Sequence, residues 1–298
     1  GLEGSVEPSP HVSGYFSVNY HLQGTPLISI IIPTRDNTQI LKQCLDSIFN
    51  NSSYKNIEII ILDNGSIDAD CLAYFKSLEP HEKITVIRHD APFNFSELNN
   101  IGAEHARGEL LLFLNDDTEV ITPDWLERMG GYAQLEHIGA VGAKLLYPHG
   151  NDIQHAGVVN FQNGPMHAFS RHNADAPAYF MRNLLEYNWL AVTGACLMID
   201  AKKFNTVGKF NESFPVAYND IELCMQMLNH NLYNIVCQAA RLTHHESISR
   251  GSDLSPEKAK RLQKELQALN EAHPKYAQHD PFHNINLHPN GINFEVAQ

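Results

Sequence analysis

Leu110–Thr118 reads LLLFLNDDT. Five apolar residues run directly into Asn115, Asp116 and Asp117. A short unbroken apolar run reads as a strand of a parallel sheet, buried on both faces. Two carboxylates at its C-terminal end stand where open α/β sheets hold their ligands. Adjacent carboxylates repel, so folding alone does not favour them, and a bound divalent cation would remove the conflict. The competing reading is a polar turn that caps the next helix.

The segments upstream repeat this pattern. Leu27–Ile32 (LISIII) is a β-branched run stopped by Pro33, followed by Ile40, Leu41, Cys44, Leu45, Ile48 and Phe49 at helical spacing. Ile57–Leu62 is a second buried strand, ending in the turn Asp63-Asn64-Gly65-Ser66. A short helix over Cys71–Leu78, a strand over Ile84–Arg88 and a helix over Glu97–Ala106, capped by Ser96, lead back to Leu110. Strands alternating with helices over about a hundred residues predict an α/β fold, a doubly wound, mostly parallel sheet with flanking helices. Right-handed crossovers bring the strand ends at Pro33, Asp63 and Asp116, all polar, to one edge.

Beyond Pro123, expected in the first turn of a helix capped by Thr122, strand candidates become irregular: Ala140–Tyr147, Gly157–Phe161 and Leu190–Ile199. The His/Asn/Pro-rich stretch Pro165–Pro177 reads as a mobile loop. A helix is expected over Asp220–Asn229 with Asn219 as its cap, then a strand over Asn234–Cys237. Pro256–Ala272 is amphipathic, with Leu262, Leu266 and Leu269 on one stripe that docks on the domain's own core. Residues 1–25 read as an arm or linker, and Phe282–Gln298 as a polar, poorly ordered tail.

The chain has 298 residues, 43% of them hydrophobic and 18% charged, with a formal net charge of -13. That balance argues against nucleic acid as a partner, since phosphate binding needs clustered Lys and Arg. The five cysteines are scattered and form no CxxC pair, so they read as buried thiols of a reducing, cytoplasmic setting. A peripheral place at the inner membrane face is left open. No apolar run nears 20 residues, so no membrane span is expected. The sequence opens on Gly1 rather than Met, as expected of a domain of a larger multidomain chain or of a trimmed one. The loop after the first strand reads PTRDNT, without GxGxxG, and GxxxxGK[ST] is absent, so a glycine-rich loop does not hold phosphates here. A nucleotide diphosphate would then need a divalent cation, Mn2+ or Mg2+, on the Asp pair.

Taken in order, PLISIIIPTRDN, EIIILDNGS, PFNFSELNNIGAEHARGELLLFLNDDTEV, VTGACLMI, FPVAYNDIELCMQM and LTHHESISRG resemble a family 2 glycosyltransferase of the GT-A fold, of the kind that builds bacterial O-antigen, capsule and rhamnose-containing glycans. The resemblance covers Pro26 to Gly251. It implies a glycosyltransferase domain over 26–251, with a donor half to about residue 120 and a mixed acceptor-side half after it, and a C-terminal helix and tail over 252–298. It implies that Pro33, Thr34 and Asp36 line the nucleoside pocket and that Asp63 reads the base beside Asn64. Asn94, Ser96 and Asn99 would lie near base and ribose. The NDD segment matches the DxD motif: Asn115 and Asp116 face ribose or sugar, and Asp117 binds the metal. His245 matches the distal metal ligand, with His244 as the other candidate. Asp220 matches the catalytic base, preceded by Asn219 where the family usually has Glu. Ser249 and Arg250 match a loop over the diphosphate, and Trp189 and Gly194 the acceptor side.

Inverting transfer needs a carboxylate to take the acceptor hydroxyl proton and a Lewis acid for the departing diphosphate. At a helix N-terminus the dipole would favour the anionic form of Asp220. Each residue also has an ordinary structural reading: Asp220 as a helix cap, the histidines as strand residues, Asp63 as an Asx turn, Trp189 as core, Arg250 as a surface ion pair. Glu222 is a rival base. The resulting expectation is a metal-dependent inverting hexosyl- or deoxyhexosyltransferase. Its donor would be a nucleotide-diphosphate sugar and its acceptor a glycan or lipid-linked oligosaccharide. The alternatives are a catalytically silent glycan-binding module of a larger polysaccharide synthase, and a nucleotidylyltransferase, whose glycine-rich basic first loop is missing.

Overall fold

The computed structural model describes residues 3–245, 256–277 and 279–297, with only the backbone for 256–258. The chain opens with an antiparallel hairpin, β1 (Gly4–Pro8) and β2 (Phe16–Tyr20), inside the stretch expected to be an arm. Its strands are mostly exposed, so no apolar alternation marks them.

The first half follows the expected alternation: β3 (Ile28–Thr34), α1 (Thr38–Asn51), β4 (Ile57–Asp63), α2 (Ala69–Leu78), β5 (Ile84–Arg88), α3 (Phe95–His105) and β6 (Leu110–Leu114). β6, β3, β4 and β5 lie side by side and all run parallel. Side chains of β3 alternate between two cores, Ile31 in one and Ile30 and Ile32 in the other, so the sheet is covered on both faces. This is why its strands read as unbroken apolar runs. α3 starts two residues before the expected position, and its cap is Asn94, whose Oδ1 accepts the Glu97 N–H at 3.2 Å.

After β7 (Thr118–Val120) and α4 (Trp125–Ala133) come β8 (Ile138–Leu146), β9 (Ile153–His155), β10 (Val158–Phe161), β11 (Gly164–His167), β12 (Asn188–Trp189), β13 (Cys196–Asp200), α5 (Ala201–Thr206), α6 (Asn219–Asn229), β14 (Tyr233–His244) and α7 (Pro256–Ala272). The large sheet has the order β12-β14-β8-β13-β6-β3-β4-β5, with β7 on β14 and β9 on β8. β13 runs antiparallel to both β6 and β8, which makes this half mixed, while β14 and β8 run parallel. The mobile-loop expectation for Pro165–Pro177 fails: this stretch completes β11, and Phe169 and Ala174 are fully buried. The disordered-tail expectation fails as well, because Leu287 and Phe294 are buried. Asp124, not Thr122, precedes α4.

The five cysteines are free and buried. No helix among the described residues is long and apolar enough to cross a membrane.

Candidate active site

The polar ends of β3, β4 and β6 are tied to one another. Thr34 at the end of β3 donates its hydroxyl to Asp116 Oδ2 at 2.6 Å. Asp36 has a left-handed backbone (φ 52) and accepts the N–H groups of Ile67 and Asp68 at 2.7 and 2.8 Å, joining the loop after β3 to the loop after β4. These backbone donors, Asp68 foremost, hold its carboxyl below the usual range. Pro33 is half-buried beside them. Asn64 donates to the carbonyls of His89 and Ala91 at 3.1 and 2.9 Å. Asp63 is 2% exposed, and its oxygens accept from Ser66 N–H at 2.7 Å and Arg88 Nη1 at 2.8 Å. Asp63 therefore builds the turn, as its ordinary reading had it.

Asn94, Ser96 and Asn99 point inward. Asn94 donates to the Glu212 carbonyl at 2.9 Å, Ser96 to the Phe214 carbonyl at 2.8 Å and Asn99 to the Phe95 carbonyl at 2.8 Å. The first two clamp the start of α3 to the segment that enters α6. Asn99 is fully buried, and its Oδ1 has no hydrogen-bond partner among the described residues.

The acidic turn after β6 lies against β13 and β14. Asn115 N–H donates to the Ala195 carbonyl at 3.0 Å, one residue from Gly194. Gly194 N–H donates to Asp220 Oδ2 at 2.7 Å, and Ile221 N–H to Asp220 Oδ1 at 2.8 Å, which fixes the carboxylate at the start of α6. A Cβ on Gly194 would stand 3.3 Å from the Phe95 ring and 3.4 Å from Asp220 Cβ, so glycine suits this approach. Asn219 accepts the Asp220 N–H at 2.8 Å. Tyr218, in a left-handed conformation (φ 59), precedes the helix where Asn219 was expected.

Asp116 and Asp117 are 8% and 5% exposed. Burial pushes the Asp116 carboxyl up to about 6, against the Thr34 hydroxyl and with the help of the neighbouring Asp117 charge. His245 N–H donates to the Asp117 carbonyl at 2.9 Å, so the ends of β6 and β14 meet. The two imidazoles then diverge. His244 Nε2 lies 3.1 Å from Asp117 Oδ1, whereas His245 Nε2 lies 2.7 Å from Glu119 Oε1. Asp117 and His245 still border one recess of about 30 Å3 with Ile40, Gln43, Thr118 and Glu119. A larger cavity of about 300 Å3, between the N-terminal arm and α4, contains none of these residues.

The donor set fits a hard divalent cation: a buried carboxylate against an imidazole nitrogen, with excess negative charge from Asp116. Among the described residues no group of three or more His, Cys, Asp or Glu is arranged to hold a metal. An ion here would take two protein groups and complete its shell from phosphate oxygens and water, the usual arrangement for Mg2+.

Two sequence assignments change. Trp189 is fully buried, wedged against Phe169 and Phe294 with the Arg182 guanidinium 4.2 Å from its ring, so it presents no face to a glycan. Glu222 is 1% exposed and bonded to His273 at 3.1 Å and Gln226 at 3.1 Å, which withdraws it as a rival base. Ser249 and Arg250 lie outside the described residues. Sequence reading missed Gln154 and His155 on β9. Gln154 Oε1 is 2.6 Å from His244 Nδ1. His155 Nε2 accepts the Thr193 N–H at 3.4 Å, and its Nδ1 lies 2.9 Å from His167 Nδ1. Burial, then His167 and His244, hold the His155 imidazole well below its usual range. The paired QH at 154–155 was the available signal, but β9 is too short to show a period.

The glycosyl transferase family 2 model matches residues 29–208. The chain is 43% identical over 269 residues to the uncharacterized protein y4gI of Sinorhizobium fredii, covering 89% of this chain and 30% of that protein. It is 38% identical over 248 residues to the O-antigen biosynthesis protein RfbC of Myxococcus xanthus, covering 81% and 19%. The chain thus spans under a third of the length of either relative. Among solved structures it resembles GalNAc-T7 with UDP, GalNAc and Mn2+, with a TM-score of 0.65, 13% identity, and 83% of this chain and 49% of that one covered. It also resembles the mannosyltransferase PcManGT from Pyrobaculum calidifontis in complex with GDP-Man and Mn2+, with a TM-score of 0.58, 15% identity, and 91% and 67% covered. At such identities the likeness carries the architecture alone. With the GT-A fold and a family match over more than half its length, the chain belongs to glycosyl transferase family 2.

Proposed function

We propose that this glycosyltransferase is metal-dependent and inverting, and moves a hexose or deoxyhexose from a nucleotide-diphosphate sugar to a hydroxyl of a growing surface polysaccharide or glycan. The observation that carries the reading is the Asn115 N–H to Ala195 carbonyl bond at 3.0 Å, because it brings the acidic turn within one residue of the group that holds Asp220.

Pro33, Thr34, Asp36 and Asn64 form the nucleoside end of the site, and Asn115 and Asp116 face the ribose or sugar. Asp117, with an imidazole of the His244–His245 pair, would hold Mn2+ or Mg2+, which when bound offsets charge on the leaving diphosphate. Asp220 is the base. Each of its oxygens accepts one backbone N–H, which fixes its direction, and each keeps a lone pair for the acceptor hydroxyl. As the acceptor oxygen bonds to the anomeric carbon, its proton passes to Asp220 and the bond to the diphosphate oxygen breaks. Gly194 leaves room on the acceptor side.

A panel of nucleotide sugars, scored for nucleoside diphosphate release with and without manganese, tests this. Release from at least one donor, lost in EDTA, is expected. Asp220→Asn is expected to keep donor binding and lose transfer by roughly a hundredfold or more. Wild-type turnover in that variant, or full activity in EDTA, would refute the assignments. Silence towards every donor would favour a glycan-binding module.

A further inference from the structure

We infer that Gln154 is a positioning residue: it holds His244 as the Nδ1–H tautomer, turns the Nε2 lone pair toward Asp117, and so makes His244 rather than His245 the imidazole of the cation site. The cation part of this inference rests on the function proposed above; the tautomer part does not.

The strand itself is built for this. β9 pairs antiparallel with β8, with Leu145 opposite His155 and Leu146 opposite Ile153. Two steps along β9 thus match one along β8, and Gln154 is the extra residue of a bulge. In a regular strand Gln154 and His155 would face opposite sides of the sheet. A bulge bends the strand and re-aims a side chain. Here Gln154 bonds to His244 and His155 to Thr193, the residue before Gly194.

Gln154 is 6% exposed and reaches His244 twice. Its Nε2 donates to the His244 carbonyl at 3.4 Å, which fixes the amide orientation and leaves Oε1 at 2.6 Å from Nδ1. An amide oxygen only accepts, so the ring proton sits on Nδ1. A neutral ring then carries its lone pair on Nε2, which lies 3.3 Å from the Asn115 amide nitrogen and 3.1 Å from Asp117 Oδ1. The Asn115 amide can donate into that lone pair, but a carboxylate oxygen cannot. A divalent cation bound here would draw on both electron-rich atoms at once. Imidazoles that bind metals characteristically donate their other N–H to an oxygen, which fixes tautomer and ring orientation. His245 is arranged the other way: its Nε2 is engaged by the Glu119 carboxylate at 2.7 Å.

The test is long-range 1H–15N NMR of the histidine rings in the whole, metal-free chain above neutral pH, with His244→Ala to assign the signals. A bare Nε2 and a protonated Nδ1 are expected for His244. Gln154→Glu keeps an acceptor and should keep this tautomer, whereas Gln154→Leu should lose it. A wild-type ring with its proton on Nε2, or on both nitrogens, overturns the role of Gln154 whether or not either variant folds. Mn2+ alone is then titrated. Paramagnetic broadening should reach the His244 ring before the His245 ring, and Gln154→Leu should need about tenfold more Mn2+ for the same effect. Broadening of His245 first overturns the ligand choice. Failure of sugar transfer alone would count against the proposed function and leave the tautomer result standing.

Discussion

Lys144 lies on β8 with none of its surface exposed, and among the described residues its Nζ donates only to the Ala174 carbonyl, at 3.3 Å. Burial, then the Arg241 charge, pulls its ammonium down to about 7, against the attraction of Asp175 and Glu186. In the unfolded chain a lysine titrates at about 10.4. Between these values the unfolded state binds a proton that the folded state lacks, so stability rises with pH through that window and is flat below it. From pH 7 to about pH 9 the gain is roughly 2 kcal/mol. Lys144→Met should abolish this rise. Urea unfolding of both proteins at the two pH values checks it, and parallel responses would refute the assignment. At this scale the sequence was legible in residue type more than in role. The Asp pair follows β6 and Asp220 lies in the first turn of α6, as the residue pattern predicts, but Asp63 and Trp189 were legible only as what they are locally, a turn residue and a core aromatic. Which histidine faces Asp117 depends on the alternation of a strand whose end residue number cannot be read from an unbroken apolar pattern.

The elements of the first half were legible because β3, β4 and β6 are buried on both faces and α1 has one apolar stripe. The second half was not, because its strands β7, β9 and β12 have two or three residues, too few to show a period, and β7 and β12 take their register from β14, far along the chain. The turn between β9 and β10 shows what such an element demands. Gly157 has φ +135, and a Cβ there would stand 2.1 Å from the Trp189 indole. Alanine would meet both a disfavoured backbone and an immovable, fully buried ring. Gly157→Ala should destabilise the chain by more than about 4 kcal/mol or prevent folding. A loss under about 1 kcal/mol in chemical denaturation would mean that the indole moves aside. Because β9 carries Gln154 and His155, any folded Gly157 variant should also disturb the ring signals of His244.

Across the whole molecule, the second half of the fold is closed by the C-terminal tail, far from β10 and β12 in sequence. The tail returns over β10 and β12: Asp280 accepts the Asn160 N–H at 2.9 Å, and Phe294 stacks on Phe169 and Tyr179, each at 5.1 Å between ring centres. The same ring meets Trp189 at 6.1 Å, which in turn packs against Gly157. Nothing in the composition of residues 282–298 marks this, because a single aromatic set among polar residues does the anchoring. Phe294 is 3% exposed, and its removal leaves a cavity among four aromatic neighbours. Phe294→Ala should therefore cost about 3 to 5 kcal/mol, and Phe294→Leu less, since leucine refills part of the volume. Both tryptophans are fully buried, and only Trp189 touches this cluster. Urea unfolding followed by tryptophan fluorescence reads the effect directly: a lower midpoint and a red-shifted native emission for the alanine variant. An unchanged midpoint would mean that the tail rests on the domain without supporting it, and that β10 to β12 hold their register by the sheet alone.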